Sequence, residues 1–224
     1  MATTVESLEG FTQMMALYSC AILEVETKLN VLNAQFNAAN EYNPIDSIKT
    51  RLKSAESIEG KLARRELPLT LQSIKAELTD IAGLRVICPF VEDIYEVANY
   101  LTSQDDINVI RKKDYIKKPK KNGYRSLHLI LETPVFTPSG KNLVVVEVQL
   151  RTIAMELWAN LEHRMRYKKD FDPELADTLG KELRECADAC AELDQRMGDT
   201  HRKIDTYNTF MQEGKDKDKG KKKK

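Results

Sequence analysis

Cysteines are few and no long hydrophobic run is present, and both shortages exclude whole classes of protein. The four cysteines lack the paired spacing of small secreted disulfide proteins. The N-terminus has neither the basic start nor the apolar core of an export signal, and no run approaches the ~18 apolar residues of a membrane span. The sequence therefore predicts a protein of the reducing cytoplasm with no membrane attachment.

An excess of charge of one sign is also absent, since 35 basic residues balance 35 acidic ones. The balance is uneven along the chain, because residues 215–224 contain seven lysines and two aspartates and leave the preceding body net acidic. This end has no apolar side chain to bury, so we expect residues 213–224 to form a disordered lysine-rich tail. A solubility tail is the simpler interpretation, and a nucleic-acid arm is the alternative.

Both ends of the chain carry apolar residues at alternating steps of three and four. This spacing predicts a long helix within residues 1–40 and a second one over residues 172–212. Because the two apolar stripes are narrow and sustained, we expect them to pack against another subunit. Packing on the central domain, or of one helix on the other, is the alternative.

The central segment, residues 43–168, mixes helical and strand patterns and predicts an α+β catalytic domain. The Asn43-Pro44 start signal predicts a helix from Asp46 to about Arg65. The turn at residues 137–140 predicts an antiparallel hairpin. Further strands are expected at 84–88, 107–110, 126–132 and 143–151, and further helices at 92–102 and from 153 onward. In the last of these helices Leu157, Trp158 and Leu161 are expected in the core.

A carboxylate interrupts the apolar strand predicted around residue 147. Side chains alternate in a strand, so Glu147, Gln149 and Arg151 share one face while the intervening residues face the core. Asp80 stands before another strand, in which Gly83 permits close approach of a ligand. Two carboxylates on separate strands are the minimum for one Mg²⁺, which takes other ligands from water and phosphate. A solvent-exposed sheet face is the alternative.

Cations cluster on the segment that follows Asp46. On the predicted helix Lys53, Lys61 and Arg64 fall within one sector and could meet a triphosphate together. Arg51 points elsewhere on an ideal helix, but arginine stacks on bases as well as pairing with phosphate. A charged, solvated helix face is the alternative interpretation.

A second basic segment, residues 111–125, has eight cations and one acid, interleaved with Tyr115 and Tyr124. Such a segment suits the phosphates of a nucleotide, or single-stranded RNA bound by charge and stacking. Gly123 leads directly into a strand, which favours a placed loop over a solvated one. His128 lies two residues into that strand, where a structural role is the alternative to a functional one.

Four motifs together resemble the synthetase domain of the RelA/SpoT homologues. They span Asp80–Arg85, Asn122–His128, Glu147–Thr152 and Trp158–His163, and the match in order and spacing runs from about Asn43 to Lys168. The short chain and terminal helices resemble the small alarmone synthetases in particular. The resemblance implies a nucleotidyltransferase-like mixed β-sheet surrounded by helices. It also implies Mg²⁺-dependent transfer of pyrophosphate from ATP to the 3′-hydroxyl of GTP or GDP, giving AMP and the alarmones of the stringent response.

Carried over motif by motif, the resemblance implies a role for each matching residue. Asp80 and Glu147 would hold Mg²⁺, and Glu147 would also take the proton of the attacking hydroxyl. On the ATP side, Arg51 and Arg85 would sandwich the adenine and the phosphates would meet Lys53, Lys61 and Arg64. On the acceptor side, Tyr124 would stack on guanine, with Lys120, Asn122, His128 and Gln149 around it.

The resemblance also bears on what the protein should lack and on its partners. Long relatives carry a hydrolase that needs a His-Asp dipeptide, whereas the three histidines here precede Leu129, Arg164 and Arg202. We therefore expect no hydrolase activity. A homotetramer is implied, and an RNA regulator is a further expectation. Two alternatives stay open: a toxin-type relative that pyrophosphorylates tRNA or adenine nucleotides, and a nucleotide- or RNA-binding module without turnover.

Overall fold

The computed structural model describes residues 2–38, 42–166 and 172–221, without the side chains of residues 2–7, 166, 173, 209 and 212–221. In this part of the chain five strands form one mixed sheet in the order β1-β2-β5-β4-β3. The strands are β1 Ser47–Leu52, β2 Ala82–Cys88, β3 Asn108–Asp114, β4 Leu127–Thr137 and β5 Gly140–Thr152. The helices are α1 Ala2–Ala38, α2 Ala55–Ala63, α3 Leu71–Glu77, α4 Val91–Thr102, α5 Ile153–Arg166 and α6 Pro173–Lys221.

One parallel pair lies at the centre of the sheet, and the other strand pairs are antiparallel. Strand β2 runs parallel to β5, which places Gly83 beside Glu147 and Arg85 beside Gln149. Strands β4 and β5 form the predicted hairpin, closed where Thr137 pairs with Gly140. This pairing confirms the turn at residues 137–140 and the mixed α+β class.

The hydrophobic core lies on the face of the sheet opposite to Glu147. Val146, Val148 and Leu150 of β5 are fully buried, as the strand alternation predicts. Helix α1 packs across β2, β4 and β5 and buries Val25 and Leu29 there, so its apolar stripe lies on the central domain and not, as expected, against another subunit. Helices α4 and α5 contact β2 and β5, while α6 packs on α5 and α4. The other face of the central strands is therefore left for polar side chains.

The predicted helix from Asp46 to Arg65 is wrong in its first half. Residues 47–52 form β1, which pairs with the free edge of β2. Backbone hydrogen bonds from Asp46 to Ile87 and from Lys53 to Ile81, each 2.9 Å long, extend that pairing. Pairing with an open sheet edge satisfies the backbone as a helix would, and tertiary context here overrides the helical spacing. Ser54 then caps α2 by accepting a hydrogen bond from the Ser57 amide.

Other elements differ from expectation mainly in their length. Strand β3 runs on to Asp114 and β4 to Thr137, and α3 over residues 71–77 was not predicted. Helix α6 continues to Lys221, which corrects the disordered tail predicted from residue 213, and residues 222–224 lie outside the described part. Lysine is a good helix former, which suits the continuation of α6 through this segment. None of the described helices is both long and apolar enough to cross a membrane.

Helix α5 places two predicted core residues in the solvent. Trp158 is buried and its Nε1 donates a hydrogen bond to the Leu183 carbonyl of α6. Leu157 and Leu161, which the sequence predicts as core, are 56% and 46% exposed. They form an exposed apolar stripe with Ile153 and Met165, at steps of four residues.

The loop before β4 depends on a glycine that contacts α6. Gly123 has a φ of +90°, and a Cβ atom there would lie 2.6 Å from the Cβ of Ala187. Gly140 has a φ of +115°, but an added Cβ would meet no described atom within 4 Å. Both glycines avoid the left-handed strain of other residues, and only Gly123 also avoids a clash.

We therefore expect Gly123→Ala to destabilise the protein more than Gly140→Ala. Gly140→Ala, the control, should lower the free energy of unfolding only by the cost of left-handed backbone strain, about 1–2 kcal/mol. Gly123→Ala should lower it by this amount and by the cost of the clash with α6 as well. Urea unfolding of both variants measures the difference. Equal losses would contradict the proposed contact.

Candidate nucleotide-binding site

A cavity of about 440 Å³ opens on the polar face of the sheet, over β1, β2 and β5. Alternation along β1 and into the residue that follows it brings Lys49, Arg51 and Lys53 to this face of the sheet. Six predicted site residues line the cavity: Arg51, Lys53, Asp80, Arg85, Glu147 and Gln149. Because this segment is a strand, Arg51 lines the cavity, whereas the predicted helix would have turned it away from the other cations.

Asp80 lies at the entrance to β2 between two lysines. Its Oδ2 accepts hydrogen bonds from Lys53 Nζ at 2.6 Å and from Lys61 Nζ at 2.7 Å. Burial alone would raise the pKa of Asp80, but the two ammonium groups outweigh it and the pKa is lowered. The carboxylate is therefore ionised at neutral pH.

Two buried polar atoms on the cavity wall have no hydrogen-bond partner among the described residues. They are Asp80 Oδ1 and Arg85 Nε, and Thr133 Oγ1 is the third such side-chain atom in the described part of the chain. Buried polar atoms are normally hydrogen-bonded, because an unpaired one costs about 1–3 kcal/mol. One acceptor and one donor on the same wall indicate a polar ligand.

Glu147 is held from both sides by its neighbours. Its Oε1 is 3.1 Å from His128 Nδ1, and its Oε2 accepts a hydrogen bond from Gln149 Nε2 at 2.9 Å. Burial raises the pKa of Glu147, and the bonds to His128 and Gln149 then lower it below the ordinary value despite the charge of Asp80. Glu147 is thus an ionised, positioned carboxylate at the floor of the cavity.

The hydrogen bonds continue from Glu147 to Tyr124. The Tyr124 hydroxyl lies 2.8 Å from His128 Nε2 and accepts a hydrogen bond from Arg151 at 2.5 Å. Arginine only donates and an ionised carboxylate only accepts. All four groups are satisfied when Tyr124 donates to Nε2 and His128 donates from Nδ1 to Glu147.

Aromatic rings and a lysine lie together at the residues that the sequence predicts around the acceptor. Lys120 Nζ lies 4.7 Å from the Tyr115 ring centroid and 4.8 Å from that of Tyr124. Asn122 accepts a hydrogen bond from the Tyr124 amide at 3.2 Å, which fixes the loop. Lys120, Asn122, Tyr124 and His128 are therefore brought together, and Tyr115 joins them.

Two predicted cations occupy different positions from those expected. Lys61 on α2 does not line the cavity itself but reaches Asp80 on its wall. Arg64 is the exposed C-cap of α2 and is not among the residues that line the cavity. Lys53, Lys61 and Arg64 therefore do not share one side of a single helix, because Lys53 precedes α2.

Sequence reasoning missed Glu156, in the first turn of α5. The Glu156 side chain accepts hydrogen bonds from Arg85, Arg151 and Asn160, and it pairs with Lys49 at 3.3 Å. The available signal was Arg85 and Arg151, since two cations on central strands require a buried counter-charge. Which acid supplies that charge depends on how α5 docks, and local patterns do not encode this.

The donor atoms of the cavity suit a magnesium ion. Asp80 and Glu147 offer carboxylate oxygens, and the described residues contain no cluster of three or more potential metal ligands. Mg²⁺ is commonly held by one or two carboxylates together with water and phosphate oxygens, so this pair fits an ion that arrives with a nucleotide. The fold and cleft thus define a protein built to bind a phosphate-rich ligand.

The comparison with protein families agrees with that class. Residues 50–172 match the family described as "Region found in RelA / SpoT proteins". The chain is 40% identical over 198 residues to GTP pyrophosphokinase YwaC of Bacillus subtilis, covering 88% of this chain and 93% of that protein. It is 35% identical over 182 residues to GTP pyrophosphokinase YjbM of the same organism, covering 81% and 84%. The chain belongs to the RelA/SpoT family.

Solved structures give the same assignment. The small alarmone synthetase 1 of B. subtilis bound to its product pppGpp superposes with a TM-score of 0.78 at 32% identity, covering 88% of this chain and 99% of that one. The small alarmone synthetase 2 of B. subtilis superposes with a TM-score of 0.76 at 38% identity, covering 86% and 98%. The fold is that of the small alarmone synthetases.

Arg151 should contribute to stability through its buried contacts. It is 4% exposed and bonds Tyr124, Gln149 and Glu156. We expect Arg151→Met to lower the free energy of unfolding by about 3 kcal/mol, because Glu156 stays buried after losing its buried cation. Lys181→Met, which breaks an exposed pair with Asp177, is the control and should change nothing measurable in urea unfolding. An Arg151→Met variant as stable as the control would contradict this contribution of Arg151 to stability.

Proposed function

We propose that the protein is a magnesium-dependent small alarmone synthetase that transfers pyrophosphate from ATP to the 3′-hydroxyl of GTP or GDP. Membership of the RelA/SpoT family makes the GTP pyrophosphokinase class the starting point. The observation that carries the proposal is the cavity wall, where Asp80 Oδ1 and Arg85 Nε lack partners among the described residues beside the ionised Glu147. Activity in the cytoplasm is part of the proposal.

On the ATP side, two arginines and two lysines supply the cations. Arg51 and Arg85 flank Gly83 and are proposed to hold the adenine between their guanidinium groups. Lys53 and Lys61, which neutralise Asp80 here, are proposed to face the phosphates. Bound Mg²⁺ would neutralise phosphate charge, and Asp80 and Glu147 are the residues that would hold it.

On the acceptor side, the geometry supports an attack guided by Glu147. Tyr124 offers a ring for the guanine, and Lys120 and Asn122 border it. Glu147 takes the proton from the 3′-hydroxyl while the oxygen of that hydroxyl bonds to the β-phosphorus of ATP. The bond between that phosphorus and the oxygen shared with the α-phosphate breaks, so AMP leaves and the acceptor gains two phosphates. His128 keeps Glu147 oriented for this proton.

Assembly and side activities complete the proposal. The exposed apolar stripe of α5 and exposed apolar residues of α6, such as Leu193 and Met197, support a homotetramer that uses the helices. No hydrolase activity is proposed, because no histidine of the chain precedes an aspartate. We also propose that RNA regulates the protein, which the basic segment at residues 111–125 supports.

The direct test supplies γ-labelled ATP and Mg²⁺ with GTP, GDP, GMP or deacylated tRNA. We expect labelled guanosine products, and Glu147→Gln should lower kcat by about 10²–10⁴ because the general base and a metal ligand are lost. Glu132→Gln on the neighbouring strand is the control and should keep full activity. Label only on tRNA or adenine nucleotides would favour a toxin-type enzyme, and no transfer would favour a binding module.

Tyr124 should act through its ring and its hydroxyl separately. Tyr124→Phe keeps the stacking ring but loses the bonds to His128 and Arg151, so kcat should fall while the KM for GDP stays near that of the wild type. Tyr124→Ala should weaken GDP binding by about 1–3 kcal/mol, the usual contribution of base stacking, without changing the KM for ATP. If both variants change the KM for ATP instead, Tyr124 belongs to the other subsite.

A further inference from the structure

Glu156 is a buried carboxylate outside the cavity whose two oxygens face different parts of the site. It is 6% exposed and lies in the first turn of α5. Its Oε1 accepts hydrogen bonds from Arg85 at 2.9 Å and Asn160 at 3.0 Å, and it pairs with Lys49 at 3.3 Å. Its Oε2 accepts a hydrogen bond from Arg151 at 2.9 Å.

These contacts divide between the two sides of the cleft. Lys49 and Arg85 line the cavity proposed for ATP. Arg151 continues to the Tyr124 hydroxyl at 2.5 Å, on the side proposed for the acceptor, and to Gln149 at 2.9 Å, which also lines the cavity. A single carboxylate therefore connects the guanidinium group of one subsite to the aromatic ring of the other.

Folding alone does not account for a charge at this position. Burial raises the pKa of Glu156, but the bond from Asn160 and the charges of Arg85 and Arg151 outweigh it and lower the pKa. The carboxylate is thus ionised, at the cost of desolvating Glu156 and Arg151 and part of Arg85, whereas Lys49 stays exposed. An apolar group of similar size is often as stabilising as a buried ionic cluster, so the charges indicate a use beyond stability.

Glu156 holds the guanidinium group of Arg85, a residue proposed to bind ATP, in a fixed position. Its NH1 is held by Glu156, while its Nε has no partner among the described residues. One nitrogen of the guanidinium group is thus held by Glu156, while the Arg85 side chain lines the cavity. Preorganisation of this kind lowers the entropy lost when the ligand binds.

We propose that Glu156 is a positioning residue shared by both nucleotide subsites, which holds Arg85 and Arg151 so that binding on the two sides is coupled. The inference rests on the proposed function, since it takes the two subsites from it. Glu156 contacts neither reacting atom and acts through the two arginines. Occupation of one subsite then favours the geometry that the other requires, and the coupling is reciprocal.

The first test is Glu156→Gln, which keeps the shape of the side chain and removes its charge. We expect the KM values for ATP and for GDP each to rise about tenfold with kcat changed less than threefold, because ground-state positioning is lost rather than the chemistry. Glu156→Asp keeps the charge and should recover part of both losses. Glu185→Gln, an exposed carboxylate on α6, is the control. A rise in only one KM, or a lower kcat with both KM values unchanged, would overturn the shared role.

The second test crosses from one subsite to the other and needs no turnover. Arg85→Met removes a bond of Glu156 on the ATP side, so the Kd of GDP measured by calorimetry without ATP should rise severalfold. An unchanged Kd would overturn the coupling. Because this measurement reports binding, it also separates the two ideas: a wild type that binds GDP but makes no alarmone defeats the proposed function and leaves this inference testable.

Discussion

The parallel pairing of β2 with β5 is the constraint on which the cleft depends. It sets Gly83 beside Glu147 and Arg85 beside Gln149, and it brings Asp80, at the entrance of β2, to the same end of the sheet. Because the next residue of each strand points into the core, a slip of one residue would bury the charges and expose the valines. The fully buried Val146 and Val148 therefore fix the position of Glu147 as firmly as its own hydrogen bonds do.

Charge balance then decides how the cleft is arranged without a ligand. Lys53 and Lys61 meet at Asp80, and Arg85 and Arg151 meet at Glu156, so each carboxylate holds cations of the cleft. Both acids have a lowered pKa although burial opposes it. The lysines on Asp80 are thus proposed to turn to phosphate when another cation takes their place, while the arginines on Glu156 stay as a frame.

Much of this arrangement was predictable from residue patterns and much was not. Strand alternation around Glu147 and the turn at residues 137–140 are local, and the structure confirms both. The first half of the helix predicted from Asp46 was wrong because the edge of β2 offers backbone partners that no local pattern reveals. Glu156 was missed for a related reason, since its burial arises from the docking of α5. The motif resemblance found Arg51 where helical geometry had turned it away.

We propose above that these residues together move a pyrophosphate group in one step, and ³¹P NMR of a reaction of the wild-type protein with ATP, GDP and Mg²⁺ tests this. We expect AMP to appear in equal amount with a guanosine product that carries a new 3′-diphosphate. Formation of ADP, which would mean transfer of a single phosphate, would contradict it.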